Sequence, residues 1–122
     1  MVSNREISRF RPGIKVWLST SDVQGAFGDG KWRLLEAVES TGSLRAAADS
    51  LGISYRKAWG DLKKAESCLG AGIIEKRRGG RTRGGTQLTA AGRRWVRKYA
   101  RFRRDVDRAV EAAFGEMMND ET

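Results

Sequence analysis

The segment from Gly42 to Glu66 constrains the fold more than any other part of this 122-residue chain. It reads Gly42-Ser-Leu-Arg-Ala-Ala-Ala-Asp-Ser-Leu-Gly-Ile-Ser-Tyr-Arg-Lys-Ala-Trp-Gly-Asp-Leu-Lys-Lys-Ala-Glu66. Ser43 and Ser54 are each placed to cap a helix, because a serine hydroxyl accepts a free N–H of a first turn. Leu44, Ala47, Ala48 and Leu51 recur at helical spacing and predict the buried face of the first helix. The alanines let two helices cross closely, where bulkier side chains would wedge them apart. Gly52 falls where the chain must turn, and Ile53 is expected to bury the turn. The second helix is predicted from Tyr55 to Leu69, with Ala58, Trp59, Leu62, Ala65 and Leu69 as its apolar stripe. Two short helices joined in this way form a helix-turn-helix.

The flanks extend this unit. Ile14 to Leu18 reads as a strand, Ser19 to Asp22 as a turn, and Val23 to Phe27 as a short return strand. A helix is predicted to begin near Gly30 with Asp29 as its cap, to bury Trp32, Leu34, Leu35 and Val38, and to stop at Gly42. After the second helix of the pair, Gly70-Ala-Gly72 breaks the pattern. Ile73–Arg78 and Thr86–Thr89 then predict two strands around the glycine-rich turn Gly79–Gly85, a hairpin placed as a wing. That turn is no phosphate cradle of an NTPase, because no Gly-Lys-Ser/Thr follows and it leads into a strand.

From Thr89 to about Met118 one long helix is predicted. Trp95, Tyr99, Phe102, Val106, Ala109 and Ala113 recur with alternating gaps of four and three, and Val110, Phe114 and Met117 continue an adjacent stripe. This is a heptad-like seam. So small a domain cannot cover it along its whole length, so a second copy is expected to pair with it through Trp95, Tyr99, Phe102, Val106, Val110, Ala113 and Met117. The expected fold is mainly α with small β. A flexible basic arm spans 1–12, a winged helix-turn-helix 13–88, and a long dimerisation helix with an acidic tail 89–122.

Charge decides what such a fold meets. The formal net charge is +9, with 24 Lys and Arg against 15 Asp and Glu. From Lys76 to Arg108 thirteen basic residues face only Asp105 and Asp107. Arg101 and Asp105 have the spacing of an ion pair along the helix. Arginine dominates, and its planar fork suits phosphates and base edges. Ser54, Tyr55, Arg56 and Lys57 occupy the first turn of the second helix, from which such helices contact base edges. Lys64 lies further along it, Ser43 and Arg45 open the preceding helix, and Arg81 and Arg83 sit at the wing tip. These nine residues are the candidate DNA contacts. Double-stranded DNA is the expected partner; a non-specific architectural DNA- or RNA-binding protein, or a module recruiting an acidic partner, is the alternative.

Other classes fare worse. The chain has no histidine and one cysteine, Cys68, so an internal disulfide is excluded and neither a nucleophile–base pair nor a set of metal ligands is spaced along it. No catalytic residue, metal or cofactor is expected. No apolar run has the length of a signal peptide or a membrane span, which places the chain in the cytoplasm by expectation.

Several segments resemble the DNA-binding domain of the ModE family of molybdate-responsive regulators, itself similar to the LysR-type winged helix. They are Thr41-Gly-Ser-Leu44, Ala47-Ala48 with Leu51 through Trp59, and the glycine-rich hairpin followed by Leu88-Thr-Ala-Ala-Gly92. The resemblance covers roughly residues 14–110. It implies a dimeric regulator at a palindromic operator near molybdate or tungstate transport genes. Molybdate-binding domains follow the long helix in full-length family members, whereas this sequence stops there. It is therefore expected to carry no oxyanion site, and a sensor would be a separate partner.

Overall fold

The computed structural model describes residues 9–77 and 85–120. It divides into two compact units, Val16–Tyr99 and Met1–Lys15 with Ala100–Thr122. The predicted mainly α fold with a small hairpin is observed.

In the first unit, β1 (Trp17–Leu18) pairs antiparallel with β2 (Phe27–Gly28), Trp17 opposite Gly28 and Leu18 opposite Phe27. Both strands are shorter than predicted. Helix α1 (Asp29–Thr41) follows, then α2 (Leu44–Ser50) and α3 (Tyr55–Leu69). β3 (Ile74–Lys76) and β4 (Thr86–Leu88) form the base of the hairpin, with Ile74 opposite Leu88. Helix α4 runs from Ala90 to Asn119.

Local signals set these boundaries. The Ser43 hydroxyl accepts the Ala46 N–H at 3.1 Å, and that of Ser54 accepts the Lys57 N–H at 3.0 Å. The turn between α2 and α3 closes with the Ile53 N–H donating to the Ala48 carbonyl, and Gly52 adopts a φ of 69°, a left-handed conformation that β-carbons disfavour. Thr89 fastens α4 to the hairpin. Its hydroxyl donates to the Gly72 carbonyl at 2.7 Å and accepts the Gly92 N–H at 2.9 Å, while its own N–H donates to the Ile73 carbonyl.

The core gathers Phe27, Leu34, Leu35, Val38, Leu44, Ala47, Ala48, Ala58, Leu62, Ala65, Ile73, Leu88, Val96 and Tyr99. The four core alanines of α2 and α3, Ala47, Ala48, Ala58 and Ala65, are fully buried, which permits close packing of the two helices.

Five side chains depart from the sequence-based expectation. Asp29 does not cap α1; Gly28 is the cap residue and makes no side-chain bond. Asp29 is buried instead, accepting the Val16 N–H at 3.1 Å and the Tyr99 hydroxyl at 2.7 Å. Leu51, at 39 % exposure, and Trp59, at 48 %, lie at the surface. Tyr99, expected at a dimer interface, is 2 % exposed and packs edge-on against Phe27 at 5.1 Å between ring centroids. Trp95 is half-buried by the same core, 5.4 Å from Phe27, with its indole nitrogen sealed from solvent. The reason is register. The buried positions of α4 are Gly92, Val96 and Tyr99, so the inward face is set by packing onto the hairpin and Phe27, a contact that a heptad count cannot see.

In the second unit, the Arg103 guanidinium donates to the Ile14 carbonyl at 2.8 Å and pairs with Asp107. The intrahelical ion pair thus joins Arg103 to Asp107 rather than Arg101 to Asp105. Val106, Val110 and Phe114 are half-buried, while Phe102 and Met117 are 40 % and 62 % exposed.

Candidate nucleic-acid interface

The surface that the sequence singled out is built by the first turns of α2 and α3. Their serine caps satisfy one first-turn N–H each. Each helix also places a partial positive charge at this end.

Side chains add to that field. Tyr55 opens α3 and is 42 % exposed. The Arg45 guanidinium, from α2, lies 4.6 Å from the Tyr55 ring centroid, so a cation and an aromatic ring from two helices form one element of the surface. Ser54, Arg56, Lys57 and Lys64 are exposed and Ser43 is partly exposed. Lys57 pairs with Asp61 at 3.0 Å, one turn on. Arg56 and Lys64 have no acidic partner among the described residues. Arg56 is thus the open cation of the first turn, with Lys57 partly neutralised.

The sequence reading missed three contributors. Lys31 of α1 donates to the Gly25 carbonyl at 2.8 Å. Burial holds its pKa below the ordinary lysine value; Asp61 opposes this, and Lys64 and Lys57 reinforce it. Lys31 therefore shares one electrostatic neighbourhood with α3. Lys63 of α3 lies 5.5 Å from the Trp59 ring centroid and pairs with Glu66 at 3.1 Å. Glu66 accepts the N–H groups of Ile73 at 2.8 Å and Ile74 at 3.3 Å, tying the end of α3 to the start of the hairpin. Burial raises the Glu66 pKa, but these N–H donors and Lys63 outweigh it and hold the carboxyl below its ordinary value. None of these partners is close in sequence to the cap signals, which is why a pattern search passes over them.

At the hairpin base, the Arg77 N–H donates to the Gly85 carbonyl at 2.9 Å and the Thr86 N–H to the Gly42 carbonyl at 2.9 Å. Arg81 and Arg83 lie outside the described residues. Of the seven residues expected at an interface between copies, Tyr99 belongs to the unit's own core and Trp95 is half-buried against it. Phe102, Ala113 and Met117 are exposed, and Val106 and Val110 partly so. No described helix is long and apolar enough to cross a membrane.

A helix-turn-helix followed by a β-hairpin, with cations and helix N-termini on one surface, is the build of a winged-helix DNA-binding domain. Residues 30–93 match the bacterial regulatory helix-turn-helix proteins of the lysR family, and the chain belongs to that family. It is 35 % identical over 102 residues to the molybdenum transport protein ModE of Azotobacter vinelandii, covering 84 % of this chain and 37 % of that protein. It is 31 % identical over 77 residues to the transcriptional regulator ModE of Haemophilus influenzae, covering 63 % of this chain and 30 % of that protein. The resemblance to ModE-type regulators is borne out, and this chain spans about a third of the length of these relatives. The same fold occurs in the CbnR DNA-binding domain bound to DNA, with a TM-score of 0.60 and 24 % identity over 72 % of this chain and 95 % of that one.

Proposed function

We propose that this chain regulates transcription by binding a two-fold symmetric DNA operator as a homodimer. α3 enters a major groove of each half-site and reads bases from its first turn through Ser54, Tyr55, Arg56 and Lys57. Ser43, Arg45 and Lys64 contact the flanking backbone, and Arg81 and Arg83 extend the contact through the wing. The observation that carries this reading is the joint surface of α2 and α3, where Arg45 is held over Tyr55 beside the open Arg56.

The exposed apolar side chains of α4, Phe102 and Met117 above all, supply the surface between copies. The regulated genes are those of molybdate or tungstate uptake, a proposal that rests on the names of the relatives.

Selection of bound fragments from genomic DNA, with and without molybdate and tungstate, tests the reading. One inverted-repeat motif should emerge, and Arg56→Ala should weaken binding to it by roughly tenfold or more. Equal binding to scrambled duplex would establish an architectural role instead. Absence of any shift at low salt would sink DNA binding altogether.

A further inference from the structure

α3 exposes a large aromatic ring in its middle. Trp59 lies one turn beyond Tyr55, and both rings are more than two-fifths exposed. Ala58, Leu62 and Ala65 are the buried positions of the helix. At about 100° per residue, Trp59 sits on the flank shared with Tyr55 and Lys63, beside the outward Arg56 and Gly60. It is not folded onto the core. Lys63 is positioned by both the Trp59 ring and Glu66, and Arg45 by Tyr55, so each exposed ring carries a cation at its side.

We propose that Trp59 is a specificity-determining contact that reads thymine, packing its indole against 5-methyl groups in the major groove. This rests on the reading of α3 as the helix that enters the groove. Base edges there present hydrogen-bond donors and acceptors and one apolar group, the thymine methyl. The indole has a single N–H to offer, so its face laid against the polar edges would strip them of water and leave most of the lost hydrogen bonds unreplaced. Laid against a methyl, it removes apolar surface from water on both partners. The neighbouring cations favour the approach of a phosphate backbone, which brings the ring to a duplex rather than to an apolar protein surface.

Deoxyuridine supplies the test, because it keeps every hydrogen-bonding group of thymine and lacks only the methyl. The probe is a duplex that this protein selects from a random-sequence pool, with each thymine of a half-site replaced in turn. The unaltered protein should lose roughly three- to fivefold in affinity at one or two positions, the worth of one buried methyl. Trp59→Ala should bind the thymine and deoxyuridine duplexes equally, with its helical circular dichroism retained because the ring lies outside the buried face of α3. Indifference of the unaltered protein to deoxyuridine at every position overturns the proposal, as does discrimination that survives Trp59→Ala. Arg56→Ala separates this from the parent reading. If it leaves affinity unchanged, α3 is not in the groove, and both fall together.

Discussion

Asp29 places a carboxyl group inside the Val16–Tyr99 unit, where an unpartnered polar group is costly. The Tyr99 hydroxyl answers it at 2.7 Å, and the Val16 N–H answers the other oxygen. Tyr99→Phe removes the hydroxyl and little volume. It should cost about 1–3 kcal/mol in chemical denaturation and leave the oligomeric state unchanged, because Tyr99 is a core residue here. A variant as stable as the parent would show that the Asp29 carboxyl is satisfied without it. Glu66 makes a pH-dependent version of the same argument. Its carboxyl is harder to protonate in the fold than in the unfolded chain, so its contribution is complete above the ordinary glutamate value of about 4.5 and is lost as pH falls below it. Glu66→Gln should therefore lose about 1 kcal/mol at pH 7, and the gap to the parent should narrow steadily below pH 4.5. A gap that is constant from pH 7 down to pH 3 would remove the charge from the account. The roles of both residues escaped the sequence because Tyr99 and Val16, and Ile73 and Ile74, lie on other elements. Asp29 looked like a cap because aspartate before a helical pattern usually is one.

The helices themselves were largely legible. Caps, turns and stops are local: Ser43, Ser54, Gly42 and Gly52 each act within a few residues, and the boundaries they predicted are those observed. What periodicity could not give was the outcome at the edge of a stripe. Trp59 is adjacent to the buried Ala58, and a residue on such a flank goes in or out according to its neighbours. Two glycines show the same dependence on surroundings. A β-carbon at Gly92 would stand 2.3 Å from the Ile73 carbonyl oxygen, a backbone atom that cannot move aside. At Gly60, on the exposed side of α3, nothing lies within 4 Å. Alanine in a helix is ordinarily worth about 1 kcal/mol over glycine. Gly60→Ala should accordingly raise the thermal midpoint, whereas Gly92→Ala should lower it by more than that gain, because α4 must lift off β3. Gly60→Ala should also weaken operator binding if the groove wall approaches there. A stabilised Gly92→Ala would contradict the close packing of α4 on the hairpin.

At the scale of the whole molecule, charge and the apolar surface of α4 act together. A net charge of +9 makes DNA association strongly salt-dependent, since each phosphate neutralised releases counterions. The same charge opposes the approach of two copies, so the proposed interface between them would have to come from apolar contact. The sequence placed that contact along the full seam from Trp95 onward; the structure packs Trp95 and Tyr99 against the domain's own core and leaves Phe102 and Met117 as its exposed large side chains. Phe102→Glu combined with Met117→Glu puts two like charges on each copy where they would face a partner. Both positions are exposed, so the helical content should be kept, while light scattering should report a single chain. DNA binding should then change in kind. A dimer engages two half-sites at once, and the second engagement is favoured by the high local concentration that the first creates. A single chain loses this advantage, so its affinity for the intact operator should fall to that for an isolated half-site. Its dependence on salt should fall too, because about half as many phosphates are neutralised per complex. A double variant that remains paired would move the interface elsewhere on the chain, and one that is monomeric yet still holds the intact operator at parental affinity would show that a single copy suffices.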